Sequence, residues 1–355
     1  GKYIAYISDE TGETELYIQK AEGSSPLQLT KENDTYIRSF GWSPDSKSIV
    51  YTDRKNRINL LNISTKQKIT VVEDLLSEPR DVSFSPDSKW LTYIRTAENN
   101  YDIVYVYNLV EKKEYPVTDR WYDSGLPAFS TDGKYLIFSS SRDFNPVYGS
   151  KEWNHVYRHE SGVYLALLKK DTPSIFLQKD DGSTETKKVE ITVEEGKTKE
   201  ADKKEDKTVK NVVIDIDGIS DRIIQLPVAA GRYGNFYSDG MKVYYVRGNS
   251  TYFYDLETQK EELVAEGALM SVGAGRKKAL FVRGRNQFCV MNIPSGKADL
   301  KDMVNLSNMK ITTDYPKEWA QIFDEAWRAF RDGFYVENMH GVDWKTMKTK
   351  YAVLV

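Results

Sequence analysis

The sequence predicts a mainly β protein, a β-propeller of four-stranded blades followed by a short α-helical segment. Two observations carry the prediction: a repeated turn-and-strand unit, and a change to helical patterning after Asp314. The unit is clearest at residues 41–51, Gly-Trp-Ser-Pro-Asp-Ser-Lys-Ser-Ile-Val-Tyr, and returns at 82–93, at 128–138 and more loosely at 236–245. Each copy is an apolar strand end, a tight turn, and an alternating β-branched and aromatic strand. Proline presets φ for the turn, Asp bonds its own backbone, and Gly or Ser tolerates the exit. Lys2, Lys47, Lys89 and Lys134 hold the same place in successive units and stand 45, 42 and 45 residues apart. A period of about 40–45 residues with several strands in each is that of a propeller blade. One large sandwich with similar hairpins is the competing architecture.

In chain order, residues 3–31 read as the last three strands of a blade that lacks its innermost strand. A second blade spans 37–72, with its third strand at 58–63. A third spans 81–118, with a cleanly alternating strand at 102–109. The fourth begins near Leu126 and has strands at 135–140 and 162–168. A loop at 141–161 interrupts it and carries Arg142, Phe144, Tyr148, Trp153, His155, Tyr157, Arg158 and His159. Long loops with aromatics and cations on a rigid scaffold bind ligands or pack on their own blade, and both readings stand. A second interruption, about 179–210, is dominated by Lys, Glu, Asp and Thr. It is too poor in apolar residues to order itself and reads as a flexible, solvated insertion within the blade. The chain re-enters through 212–216 and 219–227, the latter read as an outer strand. The fifth blade runs from 234 to 266, with later strands at 252–256 and 262–264. The sixth has strands at 279–283 and 288–292, and 306–313 as its last. Six blades are recognisable.

After Asp314 the apolar residues Trp319, Ile322, Phe323, Ala326, Trp327, Phe330 and Phe334 recur at helical spacing. Asp314 is the expected N-cap, with Pro316 in the first turn. A second helix starts at Asp343 and carries Trp344, Met347 and Tyr351. Residues 1–313 are therefore assigned to the propeller and 314–355 to the truncated start of a helical subdomain. Its aromatic stripe packs on the propeller or awaits further helices.

The 355 residues include 50 Lys and Arg against 53 Asp and Glu, a net charge of −3. No basic field argues for nucleic acid or an anionic membrane, and no apolar run spans a membrane. Cys289 is the only cysteine, which excludes intrachain disulfides, and its setting is that of a small core residue. No Gly-x-Ser-x-Gly, His-Glu-x-x-His or phosphate-cradling loop occurs. Among three histidines, His155 and His159 lack the carboxylates that would complete a zinc site, and His340 reads as a capping or packing residue between the helices. Asp215 and Asp217 alternate as solvent-facing strand residues, without the further oxygens of a calcium loop. No catalytic, cofactor or metal residue is assigned.

Residues 309–314, Met-Lys-Ile-Thr-Thr-Asp, lead into Glu318-Trp319-Ala320-Gln321-Ile322-Phe323-Asp324-Glu325-Ala326-Trp327-Arg328, then Phe330-Arg331-Asp332-Gly333-Phe334-Tyr335 and Met339-His340-Gly341-Val342-Asp343-Trp344. This junction resembles the tricorn protease family where its second propeller meets its helical catalytic-region subdomain. The segment from Asp217 to Pro227 is similar to the same propeller. The resemblance covers essentially the whole chain; the blade repeats alone also suit TolB-like and prolyl-oligopeptidase propellers. It implies a seven-bladed ring in a modular serine peptidase, with this chain a non-catalytic part that guides or filters peptides toward an active site on other domains. The family's Ser-His pair has no match here, so no catalytic residue is carried over. The implied partners are peptide substrates, the remaining domains and further copies in a homo-oligomer. The implied location is cytoplasmic, with a secreted or periplasmic one left open. A TolB-like binding module without peptidase activity is the alternative.

Overall fold

The structure, a computed structural model, describes residues 2–31, 35–143, 147–149, 151, 155–156, 160–176, 211–273, 275–336 and 338–355. It is a six-bladed propeller followed by helices. Blade one is β1 (Tyr3–Ser8), β2 (Glu15–Lys20) and β3 (Leu27–Gln28). Blade two is β4 (Ile37–Trp42), β5 (Ser48–Asp53), β6 (Arg57–Asn62) and β7 (Lys68–Glu73). Blade three is β8 (Arg80–Phe84), β9 (Trp90–Thr96), β10 (Asp102–Asn108) and β11 (Lys113–Pro116). Blade four starts with β12 (Ser124–Phe129) and β13 (Tyr135–Ser140). A separate hairpin of β14 (Val147–Tyr148) and β15 (His155–Val156) intervenes before β16 (Gly162–Leu167) and β17 (Ile223–Gln225) complete the blade. Blade five is β18 (Tyr233–Ser238), β19 (Lys242–Arg247), β20 (Ser250–Asp255) and β21 (Lys260–Ala265). Blade six is β22 (Ala268–Val272), β23 (Lys278–Arg283) and β24 (Gln287–Asn292).

The repeated turn forms for a side-chain reason. Ser43 Oγ donates to Asp45 Oδ1 at 2.6 Å and accepts from Ser48 N at 2.9 Å, while Asp45 Oδ1 also accepts from Lys47 N. Ser85 with Asp87, and Ser130 with Asp132, repeat the network. The exit residue is left-handed each time: Ser46 at φ 59°, Ser88 at 61° and Gly133 at 70°. Turns of neighbouring blades also touch. Asp45 N donates to Ser88 Oγ, and Thr131 N to Ser238 O.

The middle strands of blades two to five are largely buried on both faces because each of these blades is covered by a neighbour on either side. All six residues of β16 are buried. Five apolar cores lie between consecutive blades. Leu16 and Ile49 meet between blades one and two, Val50 and Tyr93 between two and three, and Leu136 and Val104 between three and four. Leu165 and Tyr245 join four to five, and Phe253 and Phe281 five to six, where Cys289 is buried as a core residue. Each fully buried aliphatic side chain contributes about 2 kcal/mol. Ion pairs pin outer strands: Arg95 Nε meets Asp74 Oδ2 at 2.6 Å, and its Nη1 meets Glu114 Oε1 at 2.7 Å.

Three strand assignments differ from the sequence reading. In 219–227 only Ile223–Gln225 is strand; Ile219–Arg222 is a short 3-10 helix entered through the left-handed Gly218. Residues 306–313 form no strand. Asn305 Oδ1 accepts from the amide and hydroxyl of Ser307, and Met309 N turns back on Leu306 O, so these groups are spent locally. Only Met303 bridges to Cys289 at this edge. Residues 212–216 are irregular as well, yet Val212 and Ile214 are buried in the core between blades three and four. Val212 N donates to Asp87 Oδ2 at 2.8 Å, so the segment is held on the blade-three turn rather than in a ladder.

Helix α1 (Tyr315–Gly333) begins after Asp314, whose carboxylate pairs with Lys317 instead of capping a backbone amide. Helix α2 (Trp344–Tyr351) is capped by Asp343, which accepts from Thr346 N. The two helices lock through reciprocal bonds: Trp327 Nε1 donates to Trp344 O at 2.8 Å and Trp344 Nε1 to Trp327 O at 3.0 Å.

Candidate functional site: the inner wall and the helix seam

The first strand of each full blade lies innermost, where β8, β12, β18 and β22 contact one another in turn. Of the first strands, β4, β8, β12 and β18 are bulged, between Ile37 and Ser39, Arg80 and Ser83, Gly125 and Ala128, and Gly234 and Tyr237. At the equivalent place in three of them a non-glycine residue is left-handed: Asp81 at φ 54°, Leu126 at 57° and Asn235 at 50°. Such residues persist only where their surroundings hold them, and a bulge re-aims side chains. Here the side chains reach sideways. Asp81 Oδ2 accepts from Leu126 N at 3.1 Å, Ser83 Oγ donates to Pro127 O, and Asn235 Nδ2 donates to Met270 O. The wall is thus laced from blade to blade and is polar. Arg38 and Arg80 begin equivalent strands on adjacent blades; Arg38 pairs with Glu78 at 3.0 Å and Arg80 with Asp102 at 2.7 Å. Ideal Cβ positions at Gly125 and Gly234 meet nothing within 4 Å, so open space lies in front of both.

The second feature is the seam between α1 and the propeller. The apolar stripe does not make it: Trp319, Ile322 and Phe330 are exposed. The opposite face docks through two arginines on the β1–β2 hairpin. Arg328 is buried, donates to Gly12 O at 2.7 Å and pairs with Asp9. Arg331 forks onto Glu13 at 2.7 and 2.9 Å, and Glu13 and Asp332 hold its guanidinium protonated far above the working range. Beside these contacts lies a cleft of about 510 Å³ lined by blades one and two and by α1.

The sequence candidates fall elsewhere. Arg142 is half-buried, over the rings of Tyr122 and Tyr164 at 5.3 and 5.6 Å, a packing role. Tyr148 is exposed. Phe144, Trp153, Tyr157, Arg158, His159 and the side chain of His155 lie outside the described residues, as does the insertion at 179–210. His340 is left-handed at φ 55°, with Asn338 Oδ1 accepting its amide and Tyr335 Oη 2.5 Å from its Nε2. Asp215 accepts from Lys170 N, and Asp217 pairs with Lys170 Nζ at 2.8 Å. Among the described residues no group of three His, Cys, Asp or Glu side chains is placed to hold a metal ion. No described helix is long and apolar enough to cross a membrane.

A polar, laced wall and a helix fastened by charge to one hairpin define the class: a β-propeller that carries another part of a polypeptide on its rim. Comparison with known proteins gives the family. The profile described as the tricorn protease second beta propeller domain matches residues 1–294, and that of the tricorn protease C1 domain matches 315–355. The chain belongs to the tricorn protease family. Tricorn protease homolog 1 of Streptomyces coelicolor is 26% identical over 389 residues, covering 99% of this chain and 34% of the relative. A tricorn protease homolog of Saccharolobus solfataricus is 22% identical, covering 97% of this chain and 31% of the relative. The chain thus spans about a third of the length of these curated relatives. The crystal structure of the tricorn protease superposes with a TM-score of 0.80 at 17% identity, over 99% of this chain and 34% of that one. TolB from Acinetobacter baumannii shares the propeller fold, with a TM-score of 0.50 at 17% identity over 82% of this chain and 61% of that one.

Proposed function

We propose that this chain is the non-catalytic propeller portion of a tricorn-like serine peptidase, guiding or filtering peptides toward an active site on other domains. On this reading residues 1–313 are the propeller and residues 314–355 begin the helical subdomain. The observation that carries it is the inner wall. Most of its exposed residues are hydrogen-bonding or charged, Ser39, Arg80, Asp81, Asn235 and Ser271 against the exposed Leu269, and such a surface can solvate an extended peptide backbone. The arginine seam supports it too, because a helix fixed by the Arg331 fork on Glu13 and by Arg328 on Asp9 and the Gly12 carbonyl holds the following subdomain in register with the propeller. The whole protein would act in the cytoplasm as a homo-oligomer.

The test uses the complete polypeptide that contains this chain, assayed with peptides of increasing length and with folded proteins. Cleavage confined to peptides, abolished by a serine-directed acylating reagent, is expected. Absence of peptidase activity, together with a stable complex with a folded protein, would instead favour the TolB-like binding module.

A further inference from the structure

Resting on that reading, we infer that the cleft between blade two and α1 binds a peptide carboxylate, with Arg54 as its receptor. The cleft of about 510 Å³ is lined from three parts of the chain: the β1–β2 hairpin, the flanks of β4 and β5, and the last turns of α1. Arg54 is half-buried, and among the described residues its guanidinium has no hydrogen bond or ion pair. This sets it apart. The other buried or half-buried arginines among the described residues bond a carboxylate or carbonyl oxygen, as Arg57 does with Asp53 and Arg247 with Glu261. The exception is Arg142, whose Nη2 stands 3.8 Å from Asp119 without a hydrogen bond and whose guanidinium is covered by the rings of Tyr122 and Tyr164. A partly desolvated guanidinium leaves donors unmade at a cost, and a carboxylate matches its fork with two parallel bonds.

The neighbouring charges are already committed. Arg328 is held by Asp9 and Gly12, Arg38 by Glu78, and Asp332 by Arg331. The C-terminal end of α1 lies close, since a Cβ on Gly333 would stand 3.5 Å from Arg54 Nη2. Its dipole offsets part of the positive charge without occupying the fork. On the rim stands Glu325, exposed and bonded only to Gln321 Nε2 at 3.0 Å. The ring of Tyr36, half exposed, offers a flat wall for a peptide side chain. Arg38 belongs both to the cleft and to the innermost strand β4, so a peptide anchored at Arg54 lies at the mouth of the inner wall. The cleft thus selects peptides by a carboxylate before they reach the ring.

A chain terminus and an acidic side chain present the same group, and four forms of one labelled peptide separate them: C-terminal acid or amide, each with an internal Glu or Gln. Fluorescence anisotropy with the 355-residue chain should show about tenfold weaker binding when the recognised carboxylate is removed. Loss on amidation identifies the terminus; loss on Glu-to-Gln exchange identifies the side chain. Arg54→Gln should lose the same factor at an unchanged melting temperature, Arg54→Lys should recover part of it, and Glu325→Gln should tighten binding by removing a like charge. Equal binding of all four peptides, no binding of any, or wild-type affinity in Arg54→Gln overturns the inference. Should Arg54→Gln lower the melting temperature, Glu325→Gln decides, and an unchanged affinity there overturns it. Cleavage by the complete polypeptide is measured separately, so failure here with peptide-confined cleavage intact refutes the cleft and leaves the ring standing.

Discussion

Gly240→Ala tests the belt of turns that holds the blades in register. Gly240 sits at φ 96°, and a Cβ there would stand 2.8 Å from Asp132 Cγ and 2.9 Å from its Oδ2. Asp132 cannot swing aside freely, because its Oδ1 accepts from Ser130 Oγ and Lys134 N within the blade-four turn. The left-handed backbone costs an alanine about 1–2 kcal/mol. Displacing the carboxylate loosens two turn hydrogen bonds at about 1 kcal/mol each. The sum is about 3–4 kcal/mol. Gly23→Ala is the matched control: its φ is 90° and nothing lies within 4 Å of its Cβ, so only the backbone term applies. Urea unfolding of both variants by linear extrapolation measures the difference, expected at about 2 kcal/mol. Equal losses at the two sites would refute the contact between the turns of blades four and five.

Two further outcomes follow from side chains already placed. Burial works to raise the Asp74 carboxyl, but the amides of Leu76 and Ser77 and the Arg95 guanidinium outweigh it and hold its pKa below the ordinary value. A depressed folded pKa gives stability that is present above about pH 4 and lost as pH falls through the lower folded value. Asp74→Asn should therefore flatten the acid limb of a urea-midpoint profile, and a limb unchanged from wild type would contradict this. Trp344→Phe removes the indole bond to Trp327 O and should cost about 1 kcal/mol locally. Faster amide exchange along α2 with unchanged exchange in β16 is the expected reading.

Much of the propeller was legible because its turns carry their own instructions. Ser43, Asp45 and Lys47, and their counterparts in the next two blades, close each turn with bonds among themselves, so local sequence sufficed. Residues 306–313 read as the last strand of blade six, but the Asn305 side chain takes the Ser307 amide and turns the chain locally. The inner-wall bulges were invisible because their left-handed positions fall on Asp81, Leu126 and Asn235 rather than on glycine. The docking face of α1 was not legible, because Arg328 and Arg331 acquire their role only through Asp9, Gly12 and Glu13 of the β1–β2 hairpin, far away in sequence. The Arg54 cleft joins residues from blades one and two and from α1, nearly three hundred positions apart, and no spacing along the chain announces it.

On the proposed function, peptides pass along the inner wall on their way to cleavage. Gly125 and Gly234 face open space there, so Gly125→Trp and Gly234→Trp would narrow the passage without a clash at the Cβ. The measurement is kcat/KM of the complete polypeptide for a series running from a single-residue amide to long peptides. The account predicts that both variants lose activity increasingly with length, by about tenfold on the longest peptides, while the single-residue amide is cleaved at the wild-type rate. Unchanged kcat/KM across the whole series, in variants that melt with the wild type, would contradict it.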